Sequence, residues 1–256
     1  MRLLPKPRRQ AMFALYAFCR EVDDIGDGDL PEPIKREQLD AWRAEIARLY
    51  AQTPTTAIGQ ALLGPIKAYG LEREDFLAVI DGVAMDATGA MLAPTMAELK
   101  LYCQRVAGAV GRLSVKIFGA EDRLGKTLAA HLGEALQLTN VLRDLVADAE
   151  AGRLYLPREL LAKHGITARD PRAVLRDPRI AGVLADLAEM AREMYREAEQ
   201  LVANGPRRAL RPAAVMMAVY RRLLERLIAR GWKRLDQPVE LAPFEKLWIA
   251  LRHGLM

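Results

Sequence analysis

Apolar residues recur at intervals of three and four along almost all of this 256-residue chain, and the strict alternation of a half-buried strand is hard to find. That periodicity confines the fold to the all-α class. Helix breakers divide it: residues 28–33 end a first helix, 53–56 a second, Gly70 a third and 89–94 a fourth. Thr95 followed by Glu98 forms a capping box, which predicts a helix running to about Ile117 with Gly119 as its stop. A long helix over 122–149 follows, then a loop over 152–157, then helices over 178–204, 212–230 and 244–252. No repeat, low-complexity stretch or long linker marks a boundary, so one domain over residues 1–256 is expected, with antiparallel helices around a central cavity.

With 51% hydrophobic and 28% charged residues, the balance is that of a globular chain. No apolar run approaches the roughly 18 residues of a membrane span, and the start, MRLLPKPRRQ, has no signal-peptide core. A cytosolic location is expected. The net charge of +5 suits nucleic acid, anionic lipid or a polyanionic small molecule, and composition does not choose among them. Cys19 and Cys103 sit in apolar helical patterns and read as reduced, packed thiols; His131, His164 and His253 stand too far apart for a zinc site.

Chemistry concentrates in two acidic stripes. In YAFCREVDDIGD, the helical repeat puts Tyr16, Arg20, Asp23 and Asp27 within about 60° of one another, with Asp24 at the margin. Carboxylates one turn apart repel unless a cation offsets them. In QLTNVLRDLVAD, Gln137, Asn140, Asp144 and Asp148 fall within about 80°. Either stripe alone is as well explained by a solvated face. Together they suggest two walls of a pocket holding several magnesium ions, because oxygen-only ligands favour hard cations and magnesium readily bridges carboxylates to phosphate oxygens. A diphosphate is then the natural ligand, and Arg20 and Arg143 would help to stabilise it as it departs.

Between the stripes lies YCQRVAGAVGRLSV, in which Tyr102, Val106, Ala109 and Leu113 are expected to share a face while Ala107, Gly108 and Gly111 supply little bulk. Close helix packing explains those small residues. A channel for hydrocarbon tails, with Tyr102 beside a carbocation, explains them as well and fits the acidic stripes better.

The stretches YAFCREVDDIGD, YCQRVAGAVG and LGEALQLTNVLRDLVADAEAGRLYLP, in that order, resemble the squalene and phytoene synthase family of head-to-head prenyltransferases over nearly the whole chain. IDGVAMDA and GRLSVKIFG look most like the bacterial hopanoid-pathway branch, which makes presqualene diphosphate. The resemblance implies the isoprenoid synthase fold. It implies magnesium held by Asp23 and Asp27 on one side and by Asn140, Asp144 and Asp148 on the other, with Asp24 standing behind. Arg20, Gln137, Arg143 and Tyr155 match positions that bind or orient diphosphates; Tyr16, Tyr102, Val106, Val110, Gly111 and Tyr220 match the surroundings of the reacting carbons and tails.

In the implied reaction one farnesyl diphosphate ionises, its allylic cation attacks the 2,3 double bond of a second, and proton loss closes a cyclopropane. No NADPH step is expected, because the additional sequence of reductive eukaryotic squalene synthases is missing. The family's helical segment with a Ser-Phe element precedes the position where this sequence starts, and it is expected to be lacking. Ala147 stands where the family often has Glu, leaving Asp144 and Asp148 in place.

Rival signals are weaker. AEDRLGKT, residues 120–127, fits a loose phosphate-loop pattern but reads as a helix start, since Glu121 and Asp122 stand where phosphates would lie. The Arg-rich run over 221–234 reads as helix-surface charge rather than a nucleic-acid site. Asp81 and Asp86 do not share a helix face well and are not expected to be ligands. A phytoene or dehydrosqualene synthase is the alternative enzyme; an idle helical partner protein retaining the fold is the alternative of another class. Peripheral membrane contact is compatible with a lipid product, although no amphipathic anchor stands out, and the sequence sets no oligomeric state.

Overall fold

The computed structural model describes residues 4–120, 123–245 and 248–249. Helices α1 (Lys6–Asp27), α2 (Glu32–Tyr50), α3 (Ala57–Tyr69) and α4 (Arg73–Ala87) form the first half. Their inward faces follow the helical repeat, as in the buried Ala11, Ala14, Leu15, Phe18, Val22 and Ile25 of α1. The second half comprises α5 (Met96–Cys103), a π-helical turn (Gln104–Gly108), α6 (Ala109–Phe118) and the long α7 (Arg123–Glu150). It ends with α8 (Arg158–Lys163), α9 (Pro171–Arg176), α10 (Ile180–Asn204) and α11 (Arg207–Arg230). Among the described residues there is no β-strand, only an isolated bridge between Leu92 and Leu154. The all-helical expectation holds.

Two apolar clusters hold these helices. One gathers Phe18, Phe76, Ile46 and their neighbours from α1–α4, and the other gathers residues of α5 and α7–α11 around Leu138, Leu184 and Tyr195. The helix built from α5, the π turn and α6 belongs to both: Leu99, Tyr102 and Cys103 enter the second cluster, while Ala109, Leu113 and Ile117 enter the first. Its start is fixed by the expected capping box, with Thr95 Oγ1 accepting from the Glu98 amide at 3.1 Å and Glu98 Oε2 accepting from the Thr95 amide at 2.6 Å.

The π turn corrects one expectation. Tyr102, Val106, Ala109 and Leu113 do not share a face: Tyr102 and Val106 line a cavity, whereas Ala109 and Leu113 are fully buried against α1 and α4. A π turn widens the repeat, so residues four apart align where three apart would otherwise do so. Close packing and an open channel then coexist. A Cβ on Gly133 of α7 would stand 2.8 Å from the Gly108 amide nitrogen, yet Ala107, Gly111 and Gly133 also line an apolar cavity.

Other boundaries differ in detail. Two short helices, α8 and α9, occupy the stretch between the 152–157 loop and α10; Asp170 caps α9 by accepting from the Ala173 amide at 2.8 Å. Helix α11 begins at Arg207 and carries Pro212 inside it, because Pro206 already supplies the entry geometry expected of Pro212. The helix expected over 244–252 falls mostly outside the described residues. Cys19 and Cys103 are free, and His131 and His164 pair with Glu197 and Asp186. Half of the basic residues of the Arg-rich run are held in ion pairs, with Arg221 on Glu199 and Arg222 and Arg226 on Glu245. Among the described residues no helix is long and apolar enough to cross a membrane.

The backbone approach at Gly133 generates a stability prediction. Gly133→Ala should destabilise the fold by about 2 kcal/mol through overpacking, since the obstructing atoms are backbone. For a chain of this size that lowers Tm by about 4–8 °C, measurable by circular dichroism; an unchanged Tm would show that α7 and the π turn separate freely.

Candidate active site

Helices α1 and α7 bound a polar cavity of about 460 Å³. Asp23 and Asp27 reach it from α1, and Gln137, Asn140, Arg143, Asp144 and Asp148 reach it from α7. The two acidic stripes therefore face one space, held apart by α4 and the α5–α6 helix, which contribute Val83, Asp86, Tyr102 and Val106. The remaining wall is an extended segment after α7. Its alternation is that of a strand: Arg153 and Tyr155 face the cavity, while Leu154 and Leu156 are buried in the core. Leu154 is clamped, its amide donating to the Met91 carbonyl at 3.2 Å and its carbonyl accepting from the Ala93 amide at 2.8 Å.

A second cavity, about 290 Å³ and mainly apolar, opens from the first and shares Asp23, Val106, Gln137 and Asn140 with it. Cys19, Val110, Gly111, Leu132, Leu136 and Tyr220 are among its lining residues. The arrangement is a charged mouth on a hydrocarbon-lined pocket. It can hold a polyanionic head group and an apolar tail together.

Electrostatics in the mouth are strained. The Asp148 carboxyl is pushed up to about 7, first by burial and further by Asp144, Asp86 and Asp27, against the opposing pull of Arg153. Asp23 opens onto the cavity yet is enclosed by its walls; that enclosure, followed by Asp27, Asp24 and Asp86, pushes it up to about 6. Asp86 is also raised, chiefly by burial, although it accepts hydrogen bonds from Tyr155 Oη at 2.6 Å and Tyr102 Oη at 2.8 Å. Those two rings stack with centroids 5.2 Å apart. Arg153 Nη1 donates to Asp27 Oδ1 at 2.8 Å, and its Nε lies 3.7 Å from Asp148 Oδ1. Arg143 grips its neighbour Asp144 through two hydrogen bonds of 2.7 and 2.6 Å.

Not every expected residue joins the site. Tyr16 is 59% exposed and lines neither cavity. Arg20 and Asp24 pair with each other at 3.1 Å, exposed on α1, and line neither cavity, although both act on the charge of Asp23. Two residues that sequence reasoning passed over do line the mouth. Asp86 does not share a helix face well with Asp81, so spacing does not mark it; the structure separates the two, pairing Asp81 with Arg43 at 2.6 Å and turning Asp86 inward to the tyrosines. Arg153 carried a readable signal, the alternation in RLYL beside Tyr155.

The donors suit a hard cation. Asn140 lines the mouth beside Asp144 and Gln137, and its Oδ1 is buried without a hydrogen-bond partner, so it has an acceptor lone pair to offer. Among the described residues no three His, Cys, Asp or Glu side chains converge as a preformed metal cage. Magnesium does not require one, since it retains waters and takes substrate phosphate oxygens beside one or two carboxylates.

Residues 1–245 match the family described as squalene/phytoene synthase. The presqualene diphosphate synthase of Zymomonas mobilis is 48% identical, with 98% of this chain and 86% of the relative covered. That of Rhodopseudomonas palustris is 46% identical, with 100% and 91% covered. The crystal structure of squalene synthase HpnC from Alicyclobacillus acidocaldarius superposes with a TM-score of 0.80 at 30% identity, covering 92% of this chain and 87% of that one.

The raised carboxyls set a pH dependence. A folded-state pKa above the unfolded value means that the folded protein holds more protons, so stability falls as pH rises from about 4 through the values of about 6 and 7 of Asp23 and Asp148. Without divalent cations, Asp148→Asn should lose part of that decline. Urea unfolding at pH 5.5 and pH 8 should show a smaller stability difference in the variant than in wild type; an equal or larger one would contradict the raised Asp148 carboxyl.

Proposed function

Because the chain belongs to the squalene/phytoene synthase family, we propose that its acidic mouth is where two farnesyl diphosphates are joined head to head into presqualene diphosphate. The chain is a prenyltransferase of that reaction class. The observation that carries the assignment to this site is the convergence of Asp23 and Asp27 with Asn140, Asp144 and Asp148 on one cavity that continues into an apolar one.

The residues divide by chemistry. Asp23 and Asp27 on one wall, and Asn140, Asp144 and Asp148 on the other, would hold magnesium. When bound, magnesium would supply Lewis-acid stabilisation of the negative charge on the departing diphosphate. Gln137 and Arg143 point into the same mouth, and Arg143 is placed to exchange its hold on Asp144 for phosphate oxygens, for which its planar fork is well matched. Asp86 fixes the hydroxyls of Tyr102 and Tyr155, so that the stacked rings form a rigid wall. An aromatic wall there stabilises an allylic cation electrostatically.

The apolar cavity excludes water. Val106, Val110, Gly111 and Tyr220 border the space that would take a prenyl tail, and each CH₂ buried there contributes about 0.8 kcal/mol. Sequestering the cation from water protects it until the double bond of the second substrate reaches it. Proton loss then closes the cyclopropane. Tyr16 and Arg20 line neither cavity, and no role in this step is proposed for them.

Incubation of the chain with farnesyl diphosphate and magnesium, without NADPH, should yield presqualene diphosphate by mass spectrometry. Absence of diphosphate release would overturn the enzymatic reading, and phytoene from geranylgeranyl diphosphate would overturn the substrate. Asp144→Ala should lower turnover at least ~10²-fold while leaving helix content near native; full turnover would remove Asp144 from the mechanism.

A further inference from the structure

Arg153 is the residue that ties the two acidic walls together. Its Nη1 bonds to Asp27 on α1 and its Nε approaches Asp148 on α7, so one guanidinium spans the mouth between residues 126 positions apart in one case and five in the other. The fit is incomplete: Nε is buried without a hydrogen-bond partner. Its backbone is fixed, with the Arg153 amide donating to the Asp148 carbonyl at 2.8 Å and Leu154 clamped between Met91 and Ala93. Any change of partner must therefore come from rotation of the side chain.

We propose that Arg153 is the resident counter-ion of the acidic mouth, a positioning residue that couples entry of the divalent cation to entry of the diphosphate. This inference rests on the functional reading above. A divalent cation arriving alone competes with the guanidinium for Asp27 and Asp148, and displaces it toward carboxylates already engaged, Asp86 by two tyrosine hydroxyls and Asp144 by Arg143. That leaves a partly buried guanidinium without a carboxylate free to take it, which is costly. A cation arriving with a diphosphate brings phosphate oxygens that accept the released guanidinium, a charge-assisted contact at least as strong as the one given up. Arg153 thus weakens binding of the lone cation and favours binding of the pair. The short reach matters: lysine at this position keeps the charge but lacks the fork that spans two carboxylates.

The test is manganese binding to the full chain, followed by electron paramagnetic resonance without substrate and then with inorganic pyrophosphate. Arg153→Gln should bind the lone cation about ten-fold more tightly than wild type and show a smaller gain on addition of pyrophosphate. Arg153→Lys should fall between the two, and it carries the test if circular dichroism shows that the glutamine variant is unfolded. Equal or weaker binding of the lone cation by the folded variants would overturn the proposal, as would the weakened binding expected of a purely structural brace. Product formation from farnesyl diphosphate by the wild type is a separate readout, so failure of the functional reading is distinguishable from failure of this inference.

Discussion

Repulsion between carboxylates is the constraint around which this molecule is arranged. Two unit charges 4 Å apart interact by about 1 kcal/mol in water and about 4 kcal/mol near a protein surface. Asp23, Asp27, Asp86, Asp144 and Asp148 all border one cavity. Left alone, such a set would splay outward. The apolar clusters prevent it: α1 is anchored by Phe18 and Val22 in one, α7 by Leu138 and Leu142 in the other, and the capped helix from Met96 to Phe118 joins them as a shared wall. Hydrophobic burial supplies the force that keeps the charges facing each other, and the carboxyls of Asp23 and Asp148 are raised first by that enclosure and further by their acidic neighbours.

The same arrangement explains why the cavity has two characters. The π turn displaces the repeat of the shared wall by one residue, delivering Tyr102 to the charged mouth and Val106, Val110 and Gly111 to the apolar interior. Small residues at Gly108 and Gly133 let the backbones touch, which brings α7 close enough for Gln137 and Asn140 to border both spaces. The charged mouth and the apolar pocket are therefore built from adjacent turns of the same two helices.

Much of this was legible in the sequence, for reasons specific to helices. A fixed angle per residue makes Asp23 and Asp27, or Asn140, Asp144 and Asp148, readable as neighbours without any tertiary information. Breakers and the Thr95 capping box marked most boundaries equally well. The losses come where the regular repeat fails or where partners are distant in the chain. The π turn moved Ala109 and Leu113 off the expected face. Tyr16 and Arg20 share the angular sector of Asp23, but angle alone does not say how far along α1 the cavity extends. Asp86 and Arg153 were missed because their meaning lies in tertiary contacts, to Tyr102 and Tyr155 in one case and to Asp27 in the other.

On the proposed reading, the two facing acidic rows hold the cations that grip the diphosphate. The most direct measurement is a crystal structure of the chain with manganese and the non-ionising thiolodiphosphate of farnesol, using anomalous scattering to locate the metal. The account predicts manganese peaks between the diphosphate and both rows, within bonding distance of Asp23 or Asp27 on α1 and of Asn140, Asp144 or Asp148 on α7, with the prenyl chain in the apolar cavity. Manganese and diphosphate bound away from either row would contradict it.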